Sequence, residues 1–60
     1  MEIVYIVHDI EANKFLNISL INVLVDKPSE ATFFDSFNEA VDAAREFAIY
    51  YAEIKTIYKI

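Results

Sequence analysis

The chain has 60 residues, of which 57% are apolar and none is cysteine or glycine, and its net charge is −5 at pH 7. The missing cysteines exclude disulfides, and a single histidine makes a structural zinc site untenable. The missing glycines exclude glycine-rich phosphate loops and nucleophile elbows. The acidic balance argues against direct binding to nucleic acid or to an anionic membrane, because both need clustered Lys and Arg.

Size and apolar content together predict association with protein. A domain of this length buries only about 60% of the surface that its unfolded chain exposes. Its interior is too small for so many apolar side chains, and contiguous exposed apolar surface usually marks an interface. The start, Met1-Glu2-Ile3, lacks the basic residues of a secretory signal, and no apolar run approaches the ~20 residues of a membrane span. We therefore expect one cytoplasmic domain over residues 1–60.

The first half of the chain predicts two strands. Residues 3–7 are all β-branched or aromatic, which is typical of a central strand buried on both faces. Asn13 is the best candidate for a positive-φ turn position in the polar break that follows. Residues 15–25 predict a second strand, but the parity of their apolar positions flips after Leu20. A bulge near Ile21, burial of both faces, or partly helical structure would each explain the flip.

The second half predicts a short strand, a helix and a final strand. Thr32–Phe34 can form the short strand after the loop at Pro28. Ser36 and Glu39 match a capping box at the start of a helix. This amphipathic helix is predicted from Phe37 to Ala52, and residues 54–60 then alternate as a strand. Its core face takes the apolar residues at helical spacing, namely Phe37, Ala40, Val41, Ala44, Phe47, Ala48 and Tyr51.

These elements predict a small α+β domain with the order β-β-β-α-β. One amphipathic helix would pack on one face of a three- to four-stranded mixed sheet. With the first strand central, the strand order would be 3-2-1-4, and the third strand, the helix and the fourth strand would form a right-handed crossover.

Catalytic or metal chemistry finds little support in the residues. His8 and Asp9 could form an acid–base pair on paper, but neighbours on a strand point to opposite faces. No serine is marked as a nucleophile. Asp26 and Glu30 flank Pro28, and two carboxylates without a further ligand make a weak cation site. We expect a protein that is not an enzyme and has no catalytic residue, metal or cofactor.

Two surfaces are candidate interfaces. An acidic stripe with an apolar and aromatic centre follows the outer side of the predicted helix, and it suits docking on a basic protein groove. An ordinary solvated helix face would explain the same residues, which are Glu39, Asp42, Glu46, Ile49, Tyr50 and Glu53. The second surface is the sheet face opposite the helix, with Tyr5 and Ile57 as members, where an isologous homodimer could form.

The sequence therefore predicts a small acidic protein-interaction module that acts on another protein. An inhibitor or a nucleic-acid-mimicking accessory protein would fit its size and charge. The alternative is a structural or assembly subunit whose apolar sheet face is buried in a larger complex.

Overall fold

The protein folds into a four-stranded sheet with one α-helix on one face. The structure, a computed structural model, describes residues 2–19 and 23–60. The strands are β1 (Glu2–Asp9), β2 (Lys14–Leu16), β3 (Leu24–Val25) and β4 (Ala52–Lys59), and the helix is α1 (Phe37–Glu46). A short 3-10 turn spans Pro28–Glu30. The strand order is β3-β2-β1-β4, which makes β1 central and confirms the α+β fold class.

Strand β1 is buried on both faces, as its apolar sequence predicts. Successive side chains of a strand point to opposite faces. Val7 and the half-buried Tyr5 pack with the alanines of α1, whereas Val4 and Ile6 are buried on the other face. The sheet face opposite the helix is therefore not bare at its centre.

The segment from 14 to 25 is a hairpin rather than one strand. Phe15 pairs with Val25 and Leu16 with Leu24, so the chain reverses between β2 and β3. The predicted bulge at Ile21 lies outside the described residues. The turn before β2 holds Asn13 at a φ of 55°, which confirms the predicted positive-φ position.

The predicted third strand at Thr32–Phe34 is reduced to a single bridge. Tyr5 and Phe34 exchange two backbone hydrogen bonds of 2.9 and 2.8 Å. The pairing does not extend beyond this one bridge. The third strand of the sheet is formed instead by Leu24–Val25 (β3), which pairs with the outer side of β2. All three strand pairs are antiparallel, so the sheet is not mixed and no crossover between parallel strands is formed.

Helix α1 begins as predicted and ends six residues early. The Ser36 hydroxyl accepts a hydrogen bond from the backbone N–H of Glu39, 3.1 Å away. At the other end, Ala48 adopts a φ of 56°, its N–H donates to Arg45, and the N–H of Ile49 donates to Ala44. These two bonds form a Schellman motif, which ends a helix with a left-handed residue. Glycine usually occupies that position. Because alanine occupies it here, the sequence did not indicate where the helix ends.

The buried face of α1 is narrower than predicted. Ala40, Ala43 and Ala44 are buried against Val7, Leu16 and Phe34, because their small side chains let the helix lie close to the sheet. The larger residues of the predicted core face are exposed, namely Phe37, Phe47 and Tyr51. Tyr51 lies beyond the true end of the helix, and Phe37 and Phe47 lie at its two ends.

Candidate protein-interaction site

A groove with acidic walls runs along one flank of α1. Its volume is about 450 Å³, and it lies between the helix and the segments that carry Ile18 and Phe33. We call it the acidic groove, and we define it by four carboxylates and three exposed apolar side chains: Asp35, Glu39, Asp42, Glu46, Ile18, Phe33 and Phe47.

The four carboxylates follow one another along the groove. Glu39, Asp42 and Glu46 share one face of the helix, because residues three and four apart have Cβ atoms about 5–6 Å from each other. Asp35 precedes the helix and its extended N-cap residue Ser36. Like charges at this spacing destabilise a helix slightly, and Glu46 also lies in the last turn, where the helix dipole disfavours an anion. Across residues 2–19 and 23–60, no ion pair neutralises any of the four.

Apolar residues line the groove together with these charges. Ile18 is 45% exposed, Phe33 40% and Phe47 37%. The Phe33 ring also contacts a cation of the same chain, because Lys59 Nζ lies 5.0 Å from its centroid. Each comes from a different part of the chain, which is why sequence patterns do not bring them together. The groove thus combines desolvatable apolar surface with fixed negative charge, which is the combination that recognises a basic, partly apolar segment.

The predicted acidic stripe is only partly correct. Glu39, Asp42 and Glu46 share the groove, but Ile49, Tyr50 and Glu53 do not continue the stripe because the helix has ended. Ile49 packs against the core, Tyr50 lies exposed in the loop, and Glu53 belongs to β4. Sequence reasoning missed Asp35, which precedes the N-cap residue Ser36 and so lies outside the helical spacing.

Glu53 instead joins a polar cluster on the sheet face opposite the helix. Its carboxylate lies 3.3 Å from Lys55 Nζ and 3.5 Å from His8 Nδ1. The hydrogen bond from Lys55, followed by that from His8, holds the pKa of the Glu53 carboxyl below its usual range. The His8 ring stacks on Phe15 at 4.6 Å, and its Nε2 lies 3.1 Å from the Asn13 side-chain oxygen.

The predicted dimer face is wrong in its geometry. Tyr5 pairs with Thr56, and Ile57 pairs with Val4 on the neighbouring strand. Directly paired residues share a sheet face, so Tyr5 and Ile57 point to opposite faces. Tyr5 belongs to the helix side, where its ring meets Phe37 edge-on at 6.2 Å. Tyr5 is the fourth residue of β1, and the sequence did not show which alternate residues of that strand the helix would cover.

Three other polar residues singled out from the sequence have structural partners. Ser36 caps the helix, Asp9 accepts a hydrogen bond from the Ala12 N–H, and Asp26 pairs with Lys14 at 3.2 Å. Within the described part of the chain, no three His, Asp or Glu side chains are grouped so that they could hold a metal ion. No helix of the described ranges is long and apolar enough to cross a bilayer.

Comparison with known proteins adds no relative. No protein-family model matches the chain, and no curated protein or solved structure is significantly similar to it.

Proposed function

We propose that this protein is a small non-enzymatic interaction module that binds a basic, partly apolar segment of another protein in the acidic groove. The observation that carries the proposal is the line of four carboxylates beside three exposed apolar side chains. The carboxylates steer a cationic partner, and the apolar groups supply contact area once it arrives.

The unrelieved charge of the groove supports a binding role. A solvated helix face needs no neighbouring like charges, and Asp42 and Glu46, four residues apart, cost a little helix stability. A surface that normally holds nucleic acid is both basic and able to accept regularly spaced anions. An inhibitor or nucleic-acid mimic that occupies such a surface is the form of the proposal that best fits the net charge of −5.

A permanently assembled subunit is the second candidate, and one observation favours it. Ile3 and Tyr58 are paired neighbours on the helix side of the sheet, beyond the part that α1 covers, and both are exposed. A subunit of this kind would need a partner for solubility. An isolated chain that stays soluble and folded therefore favours the interaction module.

The test uses a labelled peptide in which lysines alternate with leucines, and a matched peptide in which serine replaces leucine. We expect the lysine–leucine peptide to bind more tightly, because only it can fill the apolar part of the groove. Amide chemical-shift changes in NMR spectra should concentrate on residues that line the groove. A spread of small shifts over the whole surface would contradict the proposal.

Charge-matched variants separate a site from general attraction. Asp42→Asn with Glu46→Gln removes two charges from the groove, and Glu11→Gln with Asp26→Asn removes two from exposed residues that do not line it. We expect the groove variant to weaken binding about tenfold and the control variant much less. Equal weakening by both variants would mean that net charge alone attracts the peptide.

A further inference from the structure

Among residues 2–19 and 23–60, no segment pairs with the outer edge of β4. β4 pairs with β1 on one side only and stands at the end of the sheet, although it has eight residues. Such an edge carries a row of unpaired N–H and C=O groups that can accept another strand. Among the backbone bonds of the described residues, none joins this outer side to another segment.

The register of β1 shows which groups point outward. Tyr5 gives both of its backbone groups to Phe34, so it cannot bond to Thr56 on its other side. Bonded and non-bonded pairs alternate along an antiparallel ladder. The outward-facing backbone groups of β4 therefore belong to Ala52, Ile54, Thr56 and Tyr58.

An apolar cleft lies above this edge. Its volume is about 340 Å³, and it separates the β4 side of α1 from the strand. Val41, Ala48, Ala52 and Ile54 are among its lining residues, and none of its lining residues lines the acidic groove. The two surfaces lie on opposite flanks of the helix.

We propose that two copies of this chain join through β4, edge to edge and antiparallel, with a two-fold axis between the two Thr56 residues. Ile54 then lies opposite Tyr58 of the second copy, and Glu53 lies opposite Lys59 of the second copy. Because the axis is perpendicular to the sheet, both helices lie on the same side and the two sheets become one.

Charge and overlap select this register. Outward-facing residues must pair with each other, so the axis can lie at any residue in the middle of β4, from Ile54 to Ile57. An axis at Ile57 would set Lys55 opposite Lys59 of the second copy, which is destabilising. An axis at Lys55 would set two ammonium groups directly opposite each other, which is destabilising. An axis at Ile54 would leave Tyr58 and Lys59 beyond the end of the neighbouring strand. The axis at Thr56 keeps the long overlap and forms two Glu53–Lys59 pairs.

The same register fills the apolar cleft. Tyr58 is 62% exposed in one copy. Opposite Ile54, its ring lies on the helix side of the sheet, at the mouth of the cleft that Ile54 lines. Cross-strand aromatic and β-branched pairs of this kind stabilise sheets. The two-fold axis repeats the contact, so both clefts are covered.

Single-cysteine variants measure the register, because the chain has no cysteine of its own. In the proposed dimer the two Thr56 Cα atoms are about 5.5 Å apart, within disulfide range, whereas those of Lys55 are roughly 8 Å apart and outside it. Under mild oxidation we expect Thr56→Cys to form a covalent dimer rapidly and Lys55→Cys slowly. Glu11→Cys, in the exposed turn after β1, gives the rate of random collision.

A charge exchange tests the pairing without cysteine. Glu53→Lys alone and Lys59→Glu alone each place like charges opposite each other, and we expect either to raise the dimer dissociation constant about tenfold or more. The double variant should restore dimerisation. Within one chain Glu53 lies near Lys55 and His8, and Lys59 lies near Glu2, so the exchange cannot restore those contacts.

Light scattering after size exclusion reads out the assembly. We expect about twice the 6.9 kDa chain mass at high micromolar concentration. A monomer under these conditions would overturn the proposal, as would Thr56→Cys reacting no faster than Glu11→Cys. Faster reaction of Lys55→Cys would overturn the register. None of these outcomes bears on peptide binding in the acidic groove.

Discussion

The chain has no glycine, and among its described residues two take left-handed backbone conformations. Asn13 and Ala48 have φ values of 55° and 56°. Asparagine tolerates this region because its short polar side chain can hydrogen-bond locally, whereas the Cβ of alanine clashes with the backbone. Ala48 therefore carries conformational strain, and the hydrogen bonds of the helix end offset it.

Replacing Ala48 with glycine should stabilise the protein by about 1 kcal/mol, because glycine adopts this conformation without a steric cost. Urea unfolding of both proteins measures the difference. Ala44→Gly is the matched control: Ala44 lies buried inside α1, so the same chemical change should destabilise the protein by about 1 kcal/mol or more. A loss of stability in Ala48→Gly would show that the strained helix end is not as described.

At the scale of the elements, a very short strand supplies one of the largest fully buried side chains. β2 has three residues, yet its Leu16 is fully buried against the helix alanines. Phe47 is larger but lies at the end of α1 and keeps 37% of its surface exposed. The core is therefore closed by the hairpin and the helix alanines rather than by the helix phenylalanines.

These exposures predict which of two side-chain truncations destabilises the protein more. Leu16→Ala should cost about 2–5 kcal/mol, which is most of the stability of so small a domain. Phe47→Ala should cost clearly less than the ~3–5 kcal/mol of a fully buried phenylalanine. Denaturant midpoints of the two variants test the order. If Phe47→Ala proves the more damaging, the helix packs more deeply than its exposure indicates.

For the whole molecule, negative charge dominates the surface. The chain has ten acidic and only five basic side chains, and four of the acidic residues line one groove. Any nucleic acid that approaches meets this field, and neutralising phosphates would need a cluster of Lys and Arg.

We therefore expect no useful binding to DNA or RNA at physiological salt. Fluorescence anisotropy with a labelled duplex and a labelled single strand tests this, with a lysine-rich peptide as the positive control. Submicromolar binding that weakens steeply as salt rises would contradict the charge argument.

Local features of the fold could be predicted from the sequence. The run at residues 3–7, the turn at Asn13, the cap at Ser36 and the alternation in β4 each depend on neighbours along the chain. Three helix residues of the acidic groove were also within reach, because Glu39, Asp42 and Glu46 follow helical spacing. The apolar residues of the groove could not be predicted, because the tertiary structure alone brings Ile18 and Phe33 close to the helix.

The sequence by itself determined the fold class, the central strand and the start of the helix, because short-range patterns and caps act through adjacent backbone groups. Only the tertiary structure decided where the helix ends and which faces meet. The helix ends at Ala48 through backbone hydrogen bonds of a kind that a glycine usually marks in the sequence, and this chain has none. The pairing of Tyr5 with Thr56 puts Tyr5 and Ile57 on opposite faces, because a sheet has a period of two and one step in register exchanges its faces.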